Sequence, residues 1–375
     1  MSEYFLHLDA EERREILETL ATDLGRKANV LEKDVWVCWA LEAMFSIPSH
    51  LPMAFKGGTS LSKVFNAISR FSEDIDITVD YRALAKRSND DFEPFAANQT
   101  NNQIRKFSDR LKTTLKDYAA TTVLPHIQSK VDLLPYADDM TIEHSEDGEQ
   151  ILIYYTSVVT DQDEYLRSRI LIELGGRNII DPNAIHTVTP DIALLLQDQP
   201  LVFPSAKPIV LAPERTFWEK ATLIHAECNR GSIKASSERM SRHWMDLHLL
   251  KESAIGQSAL AQTDLLHDVI KHKQCFFRSG FANYDQCLNK GFKLIPPSTQ
   301  LAKLQEDYRA MQIMIYGDIP LFEDIVTSLK ELEAILNALE IGCLPITISS
   351  ICLTLLSSSL NFSSSISIPT PYQYY

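Results

Sequence analysis

The stretch FKGGTSLSKVFNAISRFSEDIDI, residues 55–77, decides the fold of this chain. A short apolar strand at 53–55 leads into a glycine-rich turn, and the pattern that follows predicts a helix over 61–69. DIDITVD at 74–80 then alternates between apolar and polar side chains, which is typical of a strand with one buried face. The sequence therefore predicts a strand, a tight turn, a helix and a second strand in immediate succession.

The glycine-rich turn has the chemistry of a phosphate cradle. Gly57 and Gly58 let backbone N–H groups approach a phosphate closely, and Thr59 and Ser60 add hydroxyl groups at the start of the predicted helix. Lys56 precedes the glycines and adds a cation. A pair of glycines alone usually marks an ordinary turn, so the interpretation depends on the residues that follow.

Those residues include a pair of carboxylates. Asp74 and Asp76 lie two apart on a predicted strand, so both side chains point to the same side. Two hard oxygen ligands suit Mg²⁺, which takes one or two carboxylates together with substrate phosphates. An Asp-x-Asp pattern alone is most often solvated strand surface. Joined to a phosphate cradle by one helix, it favours nucleotidyl transfer, in which metal ions assist in-line attack at the α-phosphate of a nucleotide.

At this point the sequence resembles the AbiEii/AbiGii nucleotidyltransferase toxins, which belong to the DNA polymerase β-like superfamily. KGGTSLSKVFNAISRFSEDIDI at 56–77 is similar to the signature of that family. LEKDVWVCWAL at 31–41, ERTFWEKATLIHAE at 214–227 and SRHWMDLHLL at 241–250 resemble its other motifs. The resemblance spans about residues 28–250 and keeps the order of the family's motifs.

The resemblance implies roles for individual residues. Gly58, Thr59 and Ser60 match the phosphate-binding turn of the family, and the predicted nucleotide-binding set also includes Lys56, Gly57, Ser72 and Arg242. The implied catalytic residues are Asp74, Asp76, Lys220 and Asp246. Of these, Lys220 is expected to contact the nucleotide phosphates, and Asp246 matches an acidic residue that activity requires. Asp74 and Asp76 match the metal-binding pair, and Glu173 in ILIEL is the best candidate for a third metal-binding carboxylate.

The downstream helices can also be interpreted without the resemblance. Over 214–228 an apolar stripe recurs at helical spacing, formed by Phe217, Ala221, Ile224 and Cys228. Lys220 lies at the edge of this stripe, where it either faces a cleft or covers apolar surface as an ordinary exposed lysine. On the next helix Arg239, either Arg242 or His243, and Asp246 are predicted to share one face, which is either a simple ion pair or a surface that orients a triphosphate. His225, His243 and His248 lack the spacing of a zinc site.

The overall pattern predicts an α+β fold. We expect a nucleotidyltransferase core with a small mixed or antiparallel sheet flanked by helices over 1–200, and a mainly helical C-terminal domain with the later motifs over 201–340. Strands at 151–159 and 167–175 are predicted to form an antiparallel hairpin. Residues 341–375 carry no charged side chain, and we expect them neither to be part of the fold nor to span a membrane.

Three helical segments are predicted before the hairpin. The first covers 9–24, with Asp9 as its N-cap and Glu12 three residues later as in a capping box. The second, at 31–45, has a wide apolar face and is expected to be buried, and 100–130 is mostly helical.

The charge of the chain is negative overall but uneven. A net charge of −14 excludes a protein that coats nucleic acid through bulk charge. Residues 207–251 include eight basic and five acidic side chains, so this segment carries a positive net charge. The segment 227–244, which contains Trp244, suits either an RNA-contacting loop or a solvated mobile loop. The N-terminus lacks a secretory signal, and six scattered cysteines indicate free thiols in a reducing cytoplasm.

Together these features imply a Mg²⁺- or Mn²⁺-dependent nucleotidyltransferase that uses an NTP. The resemblance implies the toxin of a toxin–antitoxin or phage-defence system, with an RNA acceptor that is expected to be tRNA, and a cognate antitoxin that is often a winged-helix protein. Two alternatives stay open: nucleotidylation or phosphorylation of a protein hydroxyl, and a pseudo-enzyme that binds nucleotide without turnover. The intact Asp74 and Asp76 pair argues against the pseudo-enzyme. Nothing in the sequence identifies which NTP is used.

Overall fold

A computed structural model describes residues 3–160, 167–231 and 239–339. The described residues up to Ala338 form one compact unit. The strands of this part of the chain are β1 (Glu3–Tyr4), β2 (Met53–Lys56), β3 (Asp74–Asp80), β4 (Thr141–His144), β5 (Gln150–Tyr154), β6 (Arg169–Asn178), β7 (Asn183–Ile185), β8 (Leu201–Val202) and β9 (Ile209–Leu211).

The α-helices of the described residues fall into two groups along the chain. Those before β7 are α1 (Ala10–Leu24), α2 (Ala28–Phe45), α3 (Gly57–Lys63), α4 (Tyr81–Arg87), α5 (Asn101–Tyr118) and α6 (Leu124–Val131). Those after β9 are α7 (Pro213–Asn229), α8 (Ser241–Glu252), α9 (Ala254–Ala261), α10 (Thr263–Phe276), α11 (Asp285–Leu288), α12 (Ser298–Met311) and α13 (Phe322–Ala338).

A mixed sheet of seven strands lies at the centre of the fold, in the order β4-β5-β6-β3-β2-β9-β7. β3 runs parallel to β6 and antiparallel to β2, while β2 runs parallel to β9. The isoleucines and valine of β3 are buried, because strand side chains alternate between the two faces and these positions face the core. The mixed α+β architecture predicted from the sequence is therefore confirmed.

The predicted hairpin is also confirmed, because β5 and β6 pair in antiparallel register. The acidic segment DQDE at 161–164, which we predict to be the turn of this hairpin, lies outside the described residues. α1 has the predicted capping box, in which Asp9 accepts from the Glu12 backbone and the Glu12 side chain accepts from the Asp9 backbone. The division into two domains at residue 200 stays a prediction, although β9 belongs to the central sheet.

The helix predicted over 61–69 was placed wrongly. α3 begins at Gly57 and ends at Lys63. Gly57 has φ +79°, so the chain can turn from β2 into the helix without a linker. Asn66 has φ +47°, a left-handed conformation that a continuing α-helix does not allow. The turn and the helix N-terminus are consequently the same residues.

α2 is buried along most of its length, including charged side chains of the segment that resembles a family motif. The Lys33 ammonium forms an ion pair with Glu73, and the Asp34 carboxylate accepts from Lys63 at 2.8 Å. Glu73 precedes β3 and Lys63 ends α3. These buried contacts join α2 to both sides of the glycine-rich segment, and we infer that they position it rather than take part in chemistry.

The segment at 227–244 differs from the predicted loop. α7 extends to Asn229 and α8 begins at Ser241, so both ends of the segment are helical. Trp244 is buried and its indole N–H donates to the Leu294 carbonyl at 2.9 Å, so it does not face an RNA. Residues 232–238 lie outside the described part of the chain.

Two further expectations concern the chain as a whole. Cys38, Cys228, Cys275 and Cys287 carry free thiols, in agreement with the cysteine pattern. Within the described ranges, no helix is both long and apolar enough to cross a membrane. The expectation for residues 341–375 falls outside the described residues.

Candidate active site

A cavity of about 630 Å³ opens where β2, β3, α7 and α8 meet. It brings together most of the residues that the sequence singled out. Its lining includes Lys56, Gly57, Gly58, Ser72, Asp74, Asp76, Lys220 and Arg242. Thr59, Ser60, Glu173 and Asp246 do not line it. The predicted set therefore separates into residues that line the cavity and residues that do not.

The two glycines are required by the closeness of their neighbours. A Cβ atom at Gly57 would lie 2.0 Å from Asp76 Oδ2, and at Gly58 it would lie 2.7 Å from Arg70 Nη2 and 2.9 Å from Ser72 Oγ. Both positions line the cavity at the first turn of α3, where backbone N–H groups have no partner within the helix. The glycines thus keep the backbone exposed to the cavity while a carboxylate and a guanidinium pack against it.

The hydroxyl groups of Thr59 and Ser60 face inward. Thr59 Oγ1 donates to the Asp74 carbonyl at 2.5 Å and lies 2.9 Å from Ser72 Oγ. Ser60 Oγ donates to the Gly57 carbonyl at 3.0 Å. Both side chains are fully buried. These hydroxyls hold the turn against β3, so the structure favours a positioning role over the direct phosphate contact predicted from the sequence.

Asp74 and Asp76 line the cavity from the beginning of β3. Burial and the neighbouring Asp74 raise the pKa of the Asp76 carboxyl, although the charge of Lys56 opposes this. Lys56 lies opposite Asp76 in the antiparallel register of β2 and β3. The Glu219 carboxylate, 3.5 Å from Lys56 Nζ, together with Asp76 raises the pKa of that lysine despite burial. At Asp76, burial and the neighbouring carboxylate therefore outweigh the compensation that Lys56 gives.

The incomplete compensation of the Asp76 charge fits a divalent cation. Carboxylate oxygens are the donors that Mg²⁺ and Mn²⁺ prefer, and a metal ion beside Asp74 and Asp76 would offset the cost of burying Asp76. Glu173 lies opposite Asp76 in the parallel register of β6, and burial and the charge of Asp76 raise the pKa of its carboxyl. Its Oε1 accepts from Gln150 at 3.0 Å.

Glu173 does not form a three-carboxylate metal site with Asp74 and Asp76. Among the residues that the structure describes, no three His, Cys, Asp or Glu side chains are gathered closely enough to hold a metal ion. Asp74 and Asp76 alone fit a metal that is completed by substrate phosphates, which is the usual pattern for Mg²⁺. The metal-binding role of Glu173 therefore stays a prediction.

Asp246 lies behind the cavity wall at the centre of a buried ion cluster. The Arg70 guanidinium donates to both of its oxygens, from Nε at 2.7 Å and from Nη2 at 2.8 Å, and Lys220 Nζ donates to Oδ2 at 2.8 Å. Burial alone would raise the pKa of Asp246, but the charges of Arg70 and Lys220 outweigh it and hold the pKa well below its ordinary range. The two cations are thereby fixed at the cavity wall.

α8 adds a second layer of basic groups. Arg242 Nη1 lies 3.3 Å from Asp74 Oδ2, and burial and the charge of Lys220 hold the pKa of His243 well below its ordinary range. Arg239 precedes α8 with φ +70°, so the predicted shared helical face is wrong for this residue. Its guanidinium donates to Glu73 at 3.0 Å instead.

The sequence interpretation missed two residues of this site. Arg70 stands in the quoted stretch but was assigned no role, because its partner Asp246 is 176 residues away. Glu219 lies next to the predicted Lys220 on α7 and forms the ion pair with Lys56. Its position in ERTFWEK was the available signal, since a carboxylate beside a buried lysine in a motif is unusual.

The arrangement suits chemistry on a phosphorylated substrate. β2, β3 and the turn between β2 and α3 contribute two carboxylates, the cation Lys56 and exposed backbone N–H groups, while α7 and α8 contribute the cations Lys220 and Arg242. Cations and backbone donors hold phosphate oxygens, while a carboxylate pair holds a metal ion. A triphosphate therefore matches the polarity of this cavity.

The chain is similar to proteins that are described as nucleotide-transferring toxins. A family model with the description "Nucleotidyl transferase AbiEii toxin, Type IV TA system" matches residues 39–336. Among solved structures, MenT4, a nucleotidyltransferase toxin from Mycobacterium tuberculosis H37Rv, is similar at 16% sequence identity and a TM-score of 0.46. That match covers 87% of this chain and 90% of the other. No curated protein sequence matches significantly.

Proposed function

Because the chain belongs to the AbiEii family of nucleotidyl transferase toxins of type IV toxin–antitoxin systems, we propose that it transfers a nucleotide from an NTP to an RNA in a Mg²⁺-dependent reaction. The proposed acceptor is the end of a tRNA. The observation that carries the proposal is the convergence of Asp74 and Asp76 with the Gly57–Gly58 turn on one cavity. Lys56 and Lys220 supply positive charge to the same cavity.

In the proposed reaction the acceptor hydroxyl attacks the α-phosphorus of the NTP. A bond forms between that oxygen and the α-phosphorus, and the bond from the phosphorus to the leaving pyrophosphate breaks. The hydroxyl proton passes to water. Lys56, Lys220 and Arg242 orient the triphosphate and neutralise the charge that develops on its oxygens.

The metal ion would be held by Asp74 and Asp76. When bound, Mg²⁺ or Mn²⁺ withdraws electron density from the phosphate oxygens and favours attack at phosphorus. The protein side chains keep their own tasks. The backbone at Gly57 and Gly58 binds phosphate oxygens, and Asp246 keeps Arg70 and Lys220 in place at the cavity wall.

The biological setting follows from the family. As a toxin of a toxin–antitoxin pair, the protein is expected to arrest growth and to have a cognate antitoxin. We propose that it acts in the cytoplasm, in line with its free cysteines, that the antitoxin is a winged-helix protein, and that the pair serves in phage defence. Growth of cells that express the chain with and without the neighbouring reading frame tests the antitoxin assignment.

The decisive experiment incubates the protein with each labelled NTP and total tRNA. Wild type is expected to label RNA in the presence of Mg²⁺ and to release pyrophosphate, while Asp76→Asn is inactive. Asp109→Asn, which changes an exposed carboxylate on α5, is the matched control. Absence of label on any RNA, or equal labelling by Asp76→Asn, would contradict the proposal. Label that survives nuclease on a protein would instead support protein nucleotidylation.

A further inference from the structure

The same cavity has a second region that the proposed chemistry does not use. Its wall is formed by the ends of β6, α7 and α10 and by the segment 277–284, which joins α10 to α11. Three cation–aromatic pairs make up this aromatic lobe: Arg177 over Phe277 at 4.9 Å from Cζ to the ring centroid, Arg230 over Phe281 at 4.2 Å, and Lys273 over Tyr284 at 5.8 Å. All six side chains line the cavity.

The rings of the aromatic lobe belong to the surface rather than to the hydrophobic core. Phe277, Phe281 and Tyr284 are only partly buried, whereas the neighbouring Phe276 is buried. A partly exposed aromatic ring beside a cation offers a flat face on which another planar group can stack. Three such rings within eight residues therefore form a surface for planar groups that is already in place.

Two of the cations are held in position by further contacts. Arg230 Nη2 donates to Glu227 at 2.7 Å, and Lys273 Nζ donates to the Glu219 carbonyl at 2.9 Å. Because these contacts fix the side chains before any ligand binds, less conformational entropy is lost on binding. The lobe is thus preorganised.

The aromatic lobe lies away from the carboxylate pair. On β6, Glu173 is opposite Asp76, and Arg177 follows four residues later on the same face of the strand. At the usual rise of a strand this separation is roughly 13 Å along the sheet. A ligand that reacts at the carboxylates and also contacts the lobe must be extended.

We propose that the aromatic lobe is the acceptor subsite and binds the unpaired end of a polynucleotide. The inference rests on the proposed nucleotidyl transfer. Bases of a single strand stack on aromatic faces, and arginines beside them contact the backbone phosphates. The base of an NTP needs one such platform, whereas the lobe provides several within one cavity. The strand's terminal hydroxyl then reaches towards Asp74 and Asp76.

The test measures binding of a short, fluorescently labelled, single-stranded RNA oligonucleotide by anisotropy, alongside binding of labelled ATP. Phe277→Leu and Phe281→Leu are each expected to weaken oligonucleotide binding about tenfold, since stacking of one base contributes about that much. The dissociation constant for ATP is expected to stay unchanged. Phe45→Leu is the matched control, because Phe45 is also half-buried but lies outside the cavity at the end of α2.

Charge variants provide a second measurement. Arg177→Gln and Arg230→Gln are expected to weaken oligonucleotide binding and to reduce its salt dependence by about one phosphate contact each. Arg105→Gln, an exposed change on α5, should leave both properties unchanged. Phe281→Tyr should restore binding, because tyrosine keeps the stacking surface. A melting temperature within the range of the controls shows that each variant is folded.

Three results would overturn the proposal. One is unchanged oligonucleotide affinity in all four lobe variants. Another is an equal loss of ATP affinity, which would assign the lobe to the NTP base. The third is equal binding of a blunt duplex and an unpaired strand. If wild type binds the strand through these residues but transfers no nucleotide, the proposed function and the acceptor role fail, and only the binding of an unpaired strand by the lobe stands.

Discussion

Asp76 and Asp246 were both predicted to be catalytic aspartates, yet the structure places them in opposite surroundings. Asp246 is completely buried and receives three charge-assisted hydrogen bonds from Arg70 and Lys220. Asp76 faces a cavity beside a second carboxylate, and its pKa is raised where that of Asp246 is held far down. The protein's own cations compensate the charge of Asp246, whereas they compensate the charge of Asp76 only in part.

The difference separates two kinds of contribution to a site. A buried carboxylate with excellent partners stabilises the arrangement of those partners, and removing it leaves buried cations without compensation. A carboxylate whose charge the protein leaves uncompensated is available for a cation from outside. We therefore propose that Asp246 positions the site and that Asp76 binds the metal ion. The following predictions test this division, beginning with the largest effect.

Asp76→Asn is expected to lower kcat/KM for nucleotide transfer by about a thousandfold or more, or roughly 4 kcal/mol of transition-state stabilisation. It should not lower the melting temperature at neutral pH. Because the folded-state pKa of Asp76 is raised, its ionised form is disfavoured by folding, and removing the charge costs no stability above that pKa. Activity assays and thermal unfolding provide the two measurements. A large loss of stability in this variant would show that Asp76 also positions the site.

Asp246→Asn is expected to lower the free energy of unfolding by about 3 kcal/mol, because it leaves two buried cations with one charge fewer between them. Activity should fall too, but together with stability. Denaturant unfolding of this variant, of Lys220→Met and of the double variant measures the coupling. Independent, additive losses would contradict a shared cluster, and Asp109→Asn provides a surface control.

Gly57→Ala is expected to lower activity about a hundredfold, because the added Cβ would displace the Asp76 carboxylate from 2.0 Å away. Gly25→Ala is the matched control, since Gly25 also has positive φ but has nothing within 4 Å of the Cβ position. Both should lose similar stability from backbone strain. Equal activity in the two variants would show that the clash at Asp76 is relieved without consequence.

Acid pH should reduce the stability that Asp246 contributes, and this effect is smaller than those above. The folded-state pKa of Asp246 is held below its ordinary value of about 4, so its stabilising effect is present above pH 4 and declines as the pH falls further. The stability difference between wild type and Asp246→Asn should therefore shrink by up to about 1.4 kcal/mol per pH unit below pH 4. Urea unfolding at several pH values measures it, and a constant difference would contradict the assignment.

Deletion of 342–375 should have the smallest effect. The family match ends at residue 336, and this segment carries no charged side chain. We expect unchanged activity and melting temperature, and the same contrast between the Asp76 and Asp246 variants in the shortened chain. Loss of folding on deletion would show that the segment belongs to the fold.

Local patterns predicted much of the fold. The alternation at 74–80 gave the bounds of β3, and the Asp9–Glu12 spacing gave the capping box, because both depend on neighbours in sequence. α3 was misplaced because Gly57 and Gly58 lower helix propensity, while their position at the first turn tolerates them. The buried partners of α2 lie far away along the chain, so no local pattern could indicate them.

The parts of the site that are contiguous in sequence could be predicted, whereas contacts between residues far apart in sequence could not. The carboxylate pair and the glycine turn are each contiguous in sequence. The Arg70–Asp246 contact joins residues that are 176 positions apart, and the aromatic segment 277–284 resembles any loop until its rings are seen beside Arg177 and Arg230. The direction of the Thr59 hydroxyl likewise depends on the position of β3.

Because of the close packing at Gly58, the substitutions tolerated at residue 58 depend on residues that are distant in sequence. A side chain at residue 58 fits only if the Arg70 guanidinium moves, and that guanidinium is fixed by Asp246. A change of Arg70 in turn leaves Asp246 with Lys220 as its remaining partner in this cluster. Homologues should therefore exchange these four residues as a set, and single substitutions that are harmless in one homologue should fail when transplanted into another.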